Sequence, residues 1–322
     1  MRLHITNGEA VSLHETGLPG DVIYWRDILH EGPVPGGLSL EELREHRVHF
    51  LAEEGIGSVE EMRAVIKERD DALARFHEYE EVVMWFEHDL YDQLQIIQVL
   101  DFLLTHNWKR TKISLLCVSK FPGIGRFKGL GQLTGAQLLS LFEERQAITL
   151  ADLKLASQAW FCFTSPNPAD LENLLGQRSS VLPLLKGALA RHLEQFPSVK
   201  NGLSRTERQI LEVIVTGVQR MEDLFLAEQD KEERVFMGDT TFWRYVDRLR
   251  SGRVPLIDVS EETARLTPAG HKVLVGQEDA IQLNGIDRWL GGVHLRGPEA
   301  EWRWDDRHRR LVKRNGNGAH RD

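Results

Sequence analysis

The chain has 322 residues, of which 41% are hydrophobic and 28% are charged, so its composition excludes a low-complexity or collagen-like protein. At about 150 residues per domain, this length predicts two domains. The net charge of −9 at pH 7 excludes attraction of nucleic acid by bulk charge, so such a contact would need a local basic patch.

Cysteine content and hydropathy predict a cytoplasmic protein. Cys117 and Cys162 each lie inside an apolar run, which favours reduced thiols over disulfides or a cysteine metal site. No apolar run approaches the length of about 20 residues needed to cross a membrane. The N-terminal sequence MRLHITNGEA lacks the apolar core of a secretory signal. We therefore expect no membrane contact.

The first two predicted strands each end in polar residues. The strand candidate Leu3–Thr6 ends at the turn dipeptide Asn7-Gly8, and a brief helix is predicted from Glu9 to Glu15. Asp21–Trp25 is rich in β-branched and aromatic residues and predicts a second strand. A polar stretch and a loop follow that strand: Arg26, Asp27, His30, Glu31 and Pro33–Gly37.

Two helices are predicted next, because serine and glutamate occur at the spacing of a capping box. These pairs are Ser39 with Glu42 and Ser58 with Glu61.

The strongest transition from strand to helix lies at residues 82–104. Val82–Phe86 has the length and composition of a buried strand. A polar cluster follows it: Glu87, His88, Asp89, Asp92 and Gln93. Apolar residues then recur with helical spacing at Leu94, Ile97, Leu100 and Leu104. Because ligands bind at the carboxyl ends of strands in open α/β sheets, we predict a ligand site here.

A glycine-rich, basic loop follows the fourth predicted strand, Ile113–Val118. Its glycines are Gly123, Gly125, Gly129 and Gly131, and its bases are Lys120, Arg126 and Lys128. Free backbone amides, basic side chains and a following helix, predicted from the Thr134/Gln137 capping box, can bind an anion. The loop matches neither a Walker motif nor the GxGxxG fingerprint. The alternative is a connection whose glycines only make turns.

Strands and helices alternate to about residue 145, which predicts a Rossmann-like open, mostly parallel sheet in an α/β fold. From Leu203 the pattern changes to three helices, a short hairpin and a further helix starting at Pro268, the order of a winged helix-turn-helix. The predicted divisions are an α/β domain (1–148), a helical connector (149–202), a winged-helix-like domain (203–275), a small β unit (276–312) and a disordered tail (313–322).

The third helix of the winged-helix candidate carries basic residues. Arg244 and Arg248, with Arg250 and Arg253 after them, would contact DNA phosphates if this helix enters a groove. Asp239 and Asp247 share the helix and oppose such binding. A structural or dimerising module, and with it a homodimer, is the alternative.

Several motifs resemble those of domain-of-unknown-function family 1835. They are NGE after the first strand, WRDILHEGPVP after the second, WFEHDLYDQLQ at the third and the FKGLGQL loop; WLGGVHLRG and WRWD resemble the C-terminal part of longer members. One departure is Glu9, where this resemblance implies an aspartate. The family name implies no activity.

Two functions follow from these patterns. In the first, an enzyme binds a phosphorylated or nucleotide-like ligand, with Glu87, His88, Asp89 and Asp27 as catalytic residues. Glu87 and Asp89 are then candidate ligands of a divalent metal such as Mg²⁺ or Mn²⁺. The other ligand-binding candidates are Asn7, Gly8, Arg26, His30, Glu31, Asp92, Gln93, Lys128, Gly129 and Gly131. In the second, a regulator senses a small anionic ligand and binds DNA through the winged helix. An acid that merely caps a helix is the plain alternative for Asp89 or Asp92.

Overall fold

The computed structural model describes residues 1–176, 181–218, 220–260 and 262–314, apart from the side chain of Lys109. The chain divides into two compact units: Met1–Leu189 with Gly291–Val293, and Ala190–Leu290 with His294–Asp322. Among the described residues, no helix is both long enough and apolar enough to span a membrane.

The first unit is built on a five-stranded sheet. Its strands are β1 (Arg2–Thr6), β2 (Asp21–Tyr24), β4 (Glu81–Glu87), β5 (Lys112–Val118) and β6 (Gln146–Ala147), while β3 (Gly32–Pro33) lies outside this sheet. The spatial order is β2-β1-β4-β5-β6, with parallel pairing throughout except between β5 and β6. The predicted mostly parallel sheet is therefore confirmed.

The sheet order places the carboxyl ends of β1 and β4 side by side. The chain passes from β1 to β2 on one side, whereas β4 pairs with β1 on the other. Thr6 is opposite Trp85, so the residues that follow both strands leave the sheet at the same edge. This reversal of strand order is the position where open α/β sheets bind ligands.

Helices cover the sheet and extend the first unit. They are α1 (Leu40–Glu53), α2 (Val59–Ala74), α3 (Leu90–Thr105), α4 (Gly135–Leu141), α5 (Leu150–Thr164), α6 (Ala169–Leu174) and α7 (Leu185–Leu193), the last of which continues into the second unit. The capping boxes predicted at Ser39, Ser58 and Thr134 are confirmed. A further box, Thr149 with Asp152, begins α5.

β4 is the middle strand of the sheet and lies in the core of the first unit. All seven residues of β4 are buried. Trp85 is fully buried, stacks on Phe142 at a centroid distance of 6.0 Å and donates a hydrogen bond to Nδ1 of His4 at 3.1 Å. Trp85 is thus a core residue.

The prediction of a helix from Glu9 to Glu15 is wrong. The chain makes a turn there, and only the 3-10 segment Leu13–Thr16 is helical. Ser12 donates or accepts no capping hydrogen bond through its side chain, and Gly17 ends the segment in the left-handed region at φ 70°. A segment this short cannot offset the cost of helix nucleation.

The second unit begins with helices and ends with short strands. Its elements are α8 (Arg205–Val215), α9 (Met221–Gln229), α10 (Asp239–Ser251), β7 (Ile257–Ser260), β8 (Thr263–Leu266), α11 (Pro268–Val275), α12 (Ala280–Asn284), β9 (Ile286–Gly291), β10 (Val293–Gly297), β11 (Trp302–Asp305) and β12 (Arg310–Lys313). β7 and β8 form the predicted antiparallel hairpin. β12 includes Lys313, the first residue of the predicted disordered tail, and residues 315–322 of that tail lie outside the described residues.

Candidate functional site

Three buried carboxylates meet where β4 leads into α3. Glu87 is the last residue of β4, Asp89 is the N-cap of α3, and Asp92 lies in its first turn. One oxygen of each lies within 4.8 Å of the others. Their exposed fractions are 6%, 4% and 0%, respectively. We call these three residues the acidic triad.

Asn7 connects the end of β1 to the acidic triad. Its side-chain nitrogen donates to both oxygens of Asp92, at 2.9 and 3.1 Å, and to Oε1 of Glu87 at 3.3 Å. The backbone amide of Glu87 also donates to Asp92. These bonds fix the orientation of the Asp92 carboxyl group. Asn7, one of the ligand-binding candidates, therefore contacts two members of the acidic triad.

The glycine-rich loop closes over the same carboxylates. The Leu130 amide donates to Oε1 of Glu87 at 2.6 Å. A Cβ atom on Gly129 would lie only 2.2 Å from Oε2 of Glu87, so this contact requires glycine. The anion bound by the loop backbone is thus a carboxylate of the protein itself.

The other predicted site residues of this loop, Lys128 and Gly131, make their contacts with residues outside the acidic triad. The Lys128 side chain is exposed, and its backbone amide donates to Oε1 of Gln132 at 2.6 Å. Gly131 packs against Ala10, because a Cβ atom on Gly131 would lie 3.1 Å from that of Ala10. The loop therefore contacts both the acidic triad and the turn that follows β1.

Burial and mutual repulsion make the acidic triad a strong acceptor of protons or cations. Burial, followed by the negative charge of Asp89, raises the pKa of Glu87 to about 7, although hydrogen bonds from Leu130 and Asn7 oppose this shift. Burial and the charges of Asp89 and Glu87 raise the pKa of Asp92 well above its usual range. Three adjacent buried carboxylates cannot all ionise without compensation, which a proton or a metal ion would supply.

Asp27 is not a member of the acidic triad and forms a buried ion pair with Arg47. Nε and Nη2 of Arg47 donate to Oδ1 of Asp27 at 3.0 and 2.6 Å. Nη1 donates to the backbone oxygen of Glu31 at 2.8 Å. Arg47 thus holds the loop after β2 and compensates the charge of Asp27. Sequence reasoning missed Arg47, because it lies in α1 and nothing near it in the sequence marks the pairing.

His30 and Tyr91 approach each other beside the acidic triad. His30 is 2% exposed, and its ring meets that of Tyr91 edge-on at a centroid distance of 6.0 Å. The Tyr91 hydroxyl donates to the backbone oxygen of Asn7 at 3.3 Å. Burial raises the pKa of Tyr91 above its usual range. Tyr91 was missed as a site residue, although it lies within the EHDLYDQ motif.

The remaining candidates divide between the interior and the surface. Gln93 donates to the backbone oxygen of Glu87 at 2.7 Å and to Sγ of Cys117 at 3.3 Å. Burial raises the pKa of the Cys117 thiol to about 12. Arg26 pairs at the surface with Glu9 at 2.5 Å. His88 and Glu31 are buried, and Gly8 is half-buried in the turn after β1.

Arg248 and Arg250, two of the arginines predicted to contact nucleic acid, interact with other residues of their own helix, α10. The Arg248 guanidinium lies 4.3 Å from the ring centroid of Tyr245, and its Nε donates to the backbone oxygen of Arg244 at 3.4 Å. Arg250 pairs with Asp247 at 2.8 Å. Arg248 and Arg250 are nevertheless exposed.

Comparison with known proteins assigns none of these residues. No family model matches the chain, and no curated protein matches it at a significant level.

Proposed function

We propose that the first unit is a cytoplasmic, metal-dependent enzyme that acts on a phosphorylated or nucleotide-like ligand. The observation that carries this proposal is the convergence of three buried carboxylates within 4.8 Å, beside Asn7, at the reversal of strand order. Ligands of open α/β sheets bind at that place. The sheet order also supports a Rossmann-like description, and the motifs around the site support membership of family 1835.

The donor chemistry of the acidic triad fits a hard divalent cation. Glu87, Asp89 and Asp92 offer only oxygen atoms, the ligands that Mg²⁺ and Mn²⁺ prefer. A bound ion would polarise a phosphoryl oxygen or lower the pKa of a bound water. The raised pKa values of Glu87 and Asp92 fit this role, because a cation would replace the protons that these groups otherwise retain.

The protein's own groups have distinct tasks in this proposal. Asn7 and the Leu130 amide orient two of the carboxylates through the hydrogen bonds described above. His88 and His30 are the candidate general acids or bases, since imidazole titrates near neutral pH. Lys128, whose side chain is exposed, would contact the phosphate of an anionic ligand.

The contacts of Asp27 and Asp89 change the roles that we propose for these two catalytic candidates. Because Arg47 compensates the Asp27 carboxylate, we assign Asp27 to holding the loop after β2. Asp89 caps α3 by accepting from the amide of Asp92 at 3.1 Å. Capping uses its Oδ1 and is compatible with a second role as a metal ligand.

Isothermal titration of the protein with MgCl₂ and MnCl₂ tests this proposal. We expect saturable binding by the wild type and its loss in Glu87→Gln/Asp89→Asn. Glu143→Gln, a change at an exposed residue of the 3-10 turn after α4, is the control and should bind normally. A ligand present at about 100 times its Kd stabilises a protein by about 2.7 kcal/mol, so a thermal shift should accompany binding. Equal binding by the wild type and the double variant would refute the assignment of the acidic triad.

Turnover is tested separately from metal binding. A series of nucleotides and phosphorylated compounds is incubated with the metal-loaded protein, and release of inorganic phosphate or a new product is followed. We expect turnover by the wild type and by Glu143→Gln and none by the triad variant. Metal binding without turnover of any phosphorylated compound would contradict the enzyme while leaving the metal site in place.

We infer a winged-helix-like module in the second unit, and with it an alternative function as a ligand-responsive DNA-binding regulator. The order of α8, α9, α10 and the β7–β8 hairpin supports the module, and the exposed Arg248 and Arg250 support DNA contact. A homodimer through this unit is compatible with the same inference. Fluorescence anisotropy with duplex DNA at low salt should show binding that weakens steeply as salt rises. Binding that Arg248→Ala/Arg250→Ala leaves unchanged would contradict the role of α10.

A further inference from the structure

A pocket lies in the first unit among helices α1, α2, α3 and α5. Its volume is about 350 Å³, which is within the range of about 300 to 1,000 Å³ typical of small-molecule sites. It is distinct from the acidic triad. Asp101, in its wall, follows Asp92 by nine positions along α3, about 14 Å at 1.5 Å per residue.

The walls of this pocket are mainly apolar and aromatic. Leucines from α1 and α2 line it, together with aromatic rings from three different segments. The residues that matter here are Leu40, Leu43, Leu73, Trp25, Phe102 and Trp160. Leu40 is 46% exposed although it is a large apolar residue, so the pocket opens to solvent at this point. Such walls favour a ligand with an apolar body.

Asp101 is the one acid in the pocket wall, among the described residues, that has no cationic partner. Ser157 of α5 donates to its Oδ1 at 2.6 Å, and this is the only hydrogen bond that its carboxylate accepts within the described ranges. Burial raises the pKa of Asp101, and no basic group of the described chain offsets that rise. By contrast, Asp70 pairs with both Arg69 and Arg44.

The one arginine among the described residues of the pocket wall, Arg69, is already paired with an acid. Arg69 pairs with Asp70 at 2.8 Å, and its guanidinium lies 3.9 Å from the ring centroid of Trp25. The indole nitrogen of Trp25 donates to Oε1 of Gln98 at 2.8 Å, which fixes the ring. Since Arg69 is neutralised by Asp70, the unbalanced charge in the wall is the carboxylate of Asp101.

We propose that this pocket binds a small organic amine, with its ammonium group on the Asp101 carboxylate and its apolar body against the leucines and Trp160. An ammonium donates charge-assisted hydrogen bonds to a carboxylate, which are stronger than those of a neutral donor. The Ser157 hydroxyl holds the carboxylate in place for this contact. The aromatic walls add favourable contacts with an organic cation.

A matched pair of probes separates the charge from the apolar body. We compare 2-phenylethylamine, a cation at neutral pH, with 2-phenylethanol by ligand-detected NMR titration of the full chain. We expect the wild type to bind the amine about tenfold more tightly than the alcohol. Asp101→Asn should lower the affinity for the amine to that for the alcohol. Asp71→Asn, the same change at an exposed residue of α2, should keep the tenfold preference.

A second variant tests the pocket without changing its charge. Leu40→Trp narrows the opening at an exposed position, so the protein should fold normally and bind both probes more weakly. Three outcomes would overturn the proposal: no binding of the amine in the millimolar range, equal affinities for amine and alcohol in the wild type, or an unchanged preference in Asp101→Asn. None of these outcomes depends on the acidic triad, so the two sites are tested independently.

Discussion

At the scale of single residues, Gly129 lies so close to the Glu87 carboxylate that a side chain on this glycine would collide with it. Gly129 approaches Glu87 so closely that no side chain fits between them, and this approach lets the Leu130 amide reach Oε1 of Glu87. The contact between the loop and β4 therefore depends on Gly129 and on Glu87. Each residue can be substituted separately.

Gly129→Ala should destabilise the protein by about 1 to 3 kcal/mol, because the new methyl group would displace the Glu87 carboxylate and break its hydrogen bond to the Leu130 amide. Gly125→Ala is the control, since no atom lies within 4 Å of a Cβ atom placed there. Urea denaturation measures both. Equal stability of the two variants would show that the loop does not press on Glu87.

Arg47→Met should cost about 3 to 5 kcal/mol, because it leaves the Asp27 carboxylate buried without its partner. Adding Asp27→Asn should recover part of this loss, since the uncompensated charge is then removed. Arg63→Met is the control: it breaks the more exposed pair with Glu45 and should change stability little. Chemical denaturation of the four proteins gives the comparison. A loss for Arg47→Met no larger than for Arg63→Met would refute the structural role of this pair.

At the scale of elements, the junction between β4 and α3 combines two tasks in one short segment. The strand ends at Glu87, and only His88 separates it from the N-cap of the helix. Asp89 therefore serves the helix and the acidic triad at once. Substitution by asparagine and by alanine separates these tasks, because asparagine caps helices well and alanine does not.

Asp89→Ala should be about 1 kcal/mol less stable than Asp89→Asn when both are unfolded in the presence of EDTA. Both variants should bind Mn²⁺ more weakly than the wild type, because each removes one carboxylate from the acidic triad. Denaturation curves and metal titrations test the two statements separately. If alanine and asparagine gave equal stability, the capping bond from the Asp92 amide would contribute nothing.

This junction was predictable from the sequence because its parts are adjacent in the chain. The apolar run of β4, the acids and the helical period of α3 follow one another, and the parallel sheet brings Asn7 beside them. The pairing of Asp27 with Arg47 was not predictable, since it joins a loop to a separate helix. The partner of the glycine loop was also missed. Local sequence shows that amides are available but not that Glu87 lies within their reach.

At the scale of the whole molecule, several buried acids set the dependence of stability on pH. Burial is the main reason that the pKa values of Glu87 and Glu228 rise to about 7. Glu81 differs: burial alone would raise its pKa, but hydrogen bonds from Ser114, Arg145, Lys112 and Arg2 lower it to about 2. As pH rises, ionisation of Glu87 and Glu228 therefore lowers the free energy of unfolding, whereas ionisation of Glu81 raises it.

Without metal, the free energy of unfolding should fall as pH rises from about 4.5 to about 7. An acid whose pKa is raised on folding stabilises the fold fully below its unfolded pKa, and this contribution is lost as pH rises through the folded value. For Glu87 the loss is on the order of 3 kcal/mol. Denaturation at a series of pH values in EDTA measures it, and Glu87→Gln should flatten the curve. At the acid end, stability should fall again towards pH 2 as Glu81 is protonated. A Glu87→Gln variant whose stability falls between about pH 4.5 and 7 as much as that of the wild type would contradict the assignment for Glu87.

The hydrogen bond between the Leu130 amide and Glu87 has a consequence for the order in which partners bind. An external phosphate that binds the Leu130 amide must displace the Glu87 carboxylate, which already accepts a hydrogen bond from this amide. The apparent affinity of the phosphate is therefore reduced. A cation bound at Oε2 of Glu87 would reduce the negative charge on this carboxylate and weaken its hydrogen bond to the Leu130 amide, so the competition would decrease. Metal and anion should then bind with positive cooperativity, each raising the affinity of the other by the same factor. On this basis, we expect the glycine-rich loop to bind phosphate more tightly after a cation has bound at Glu87.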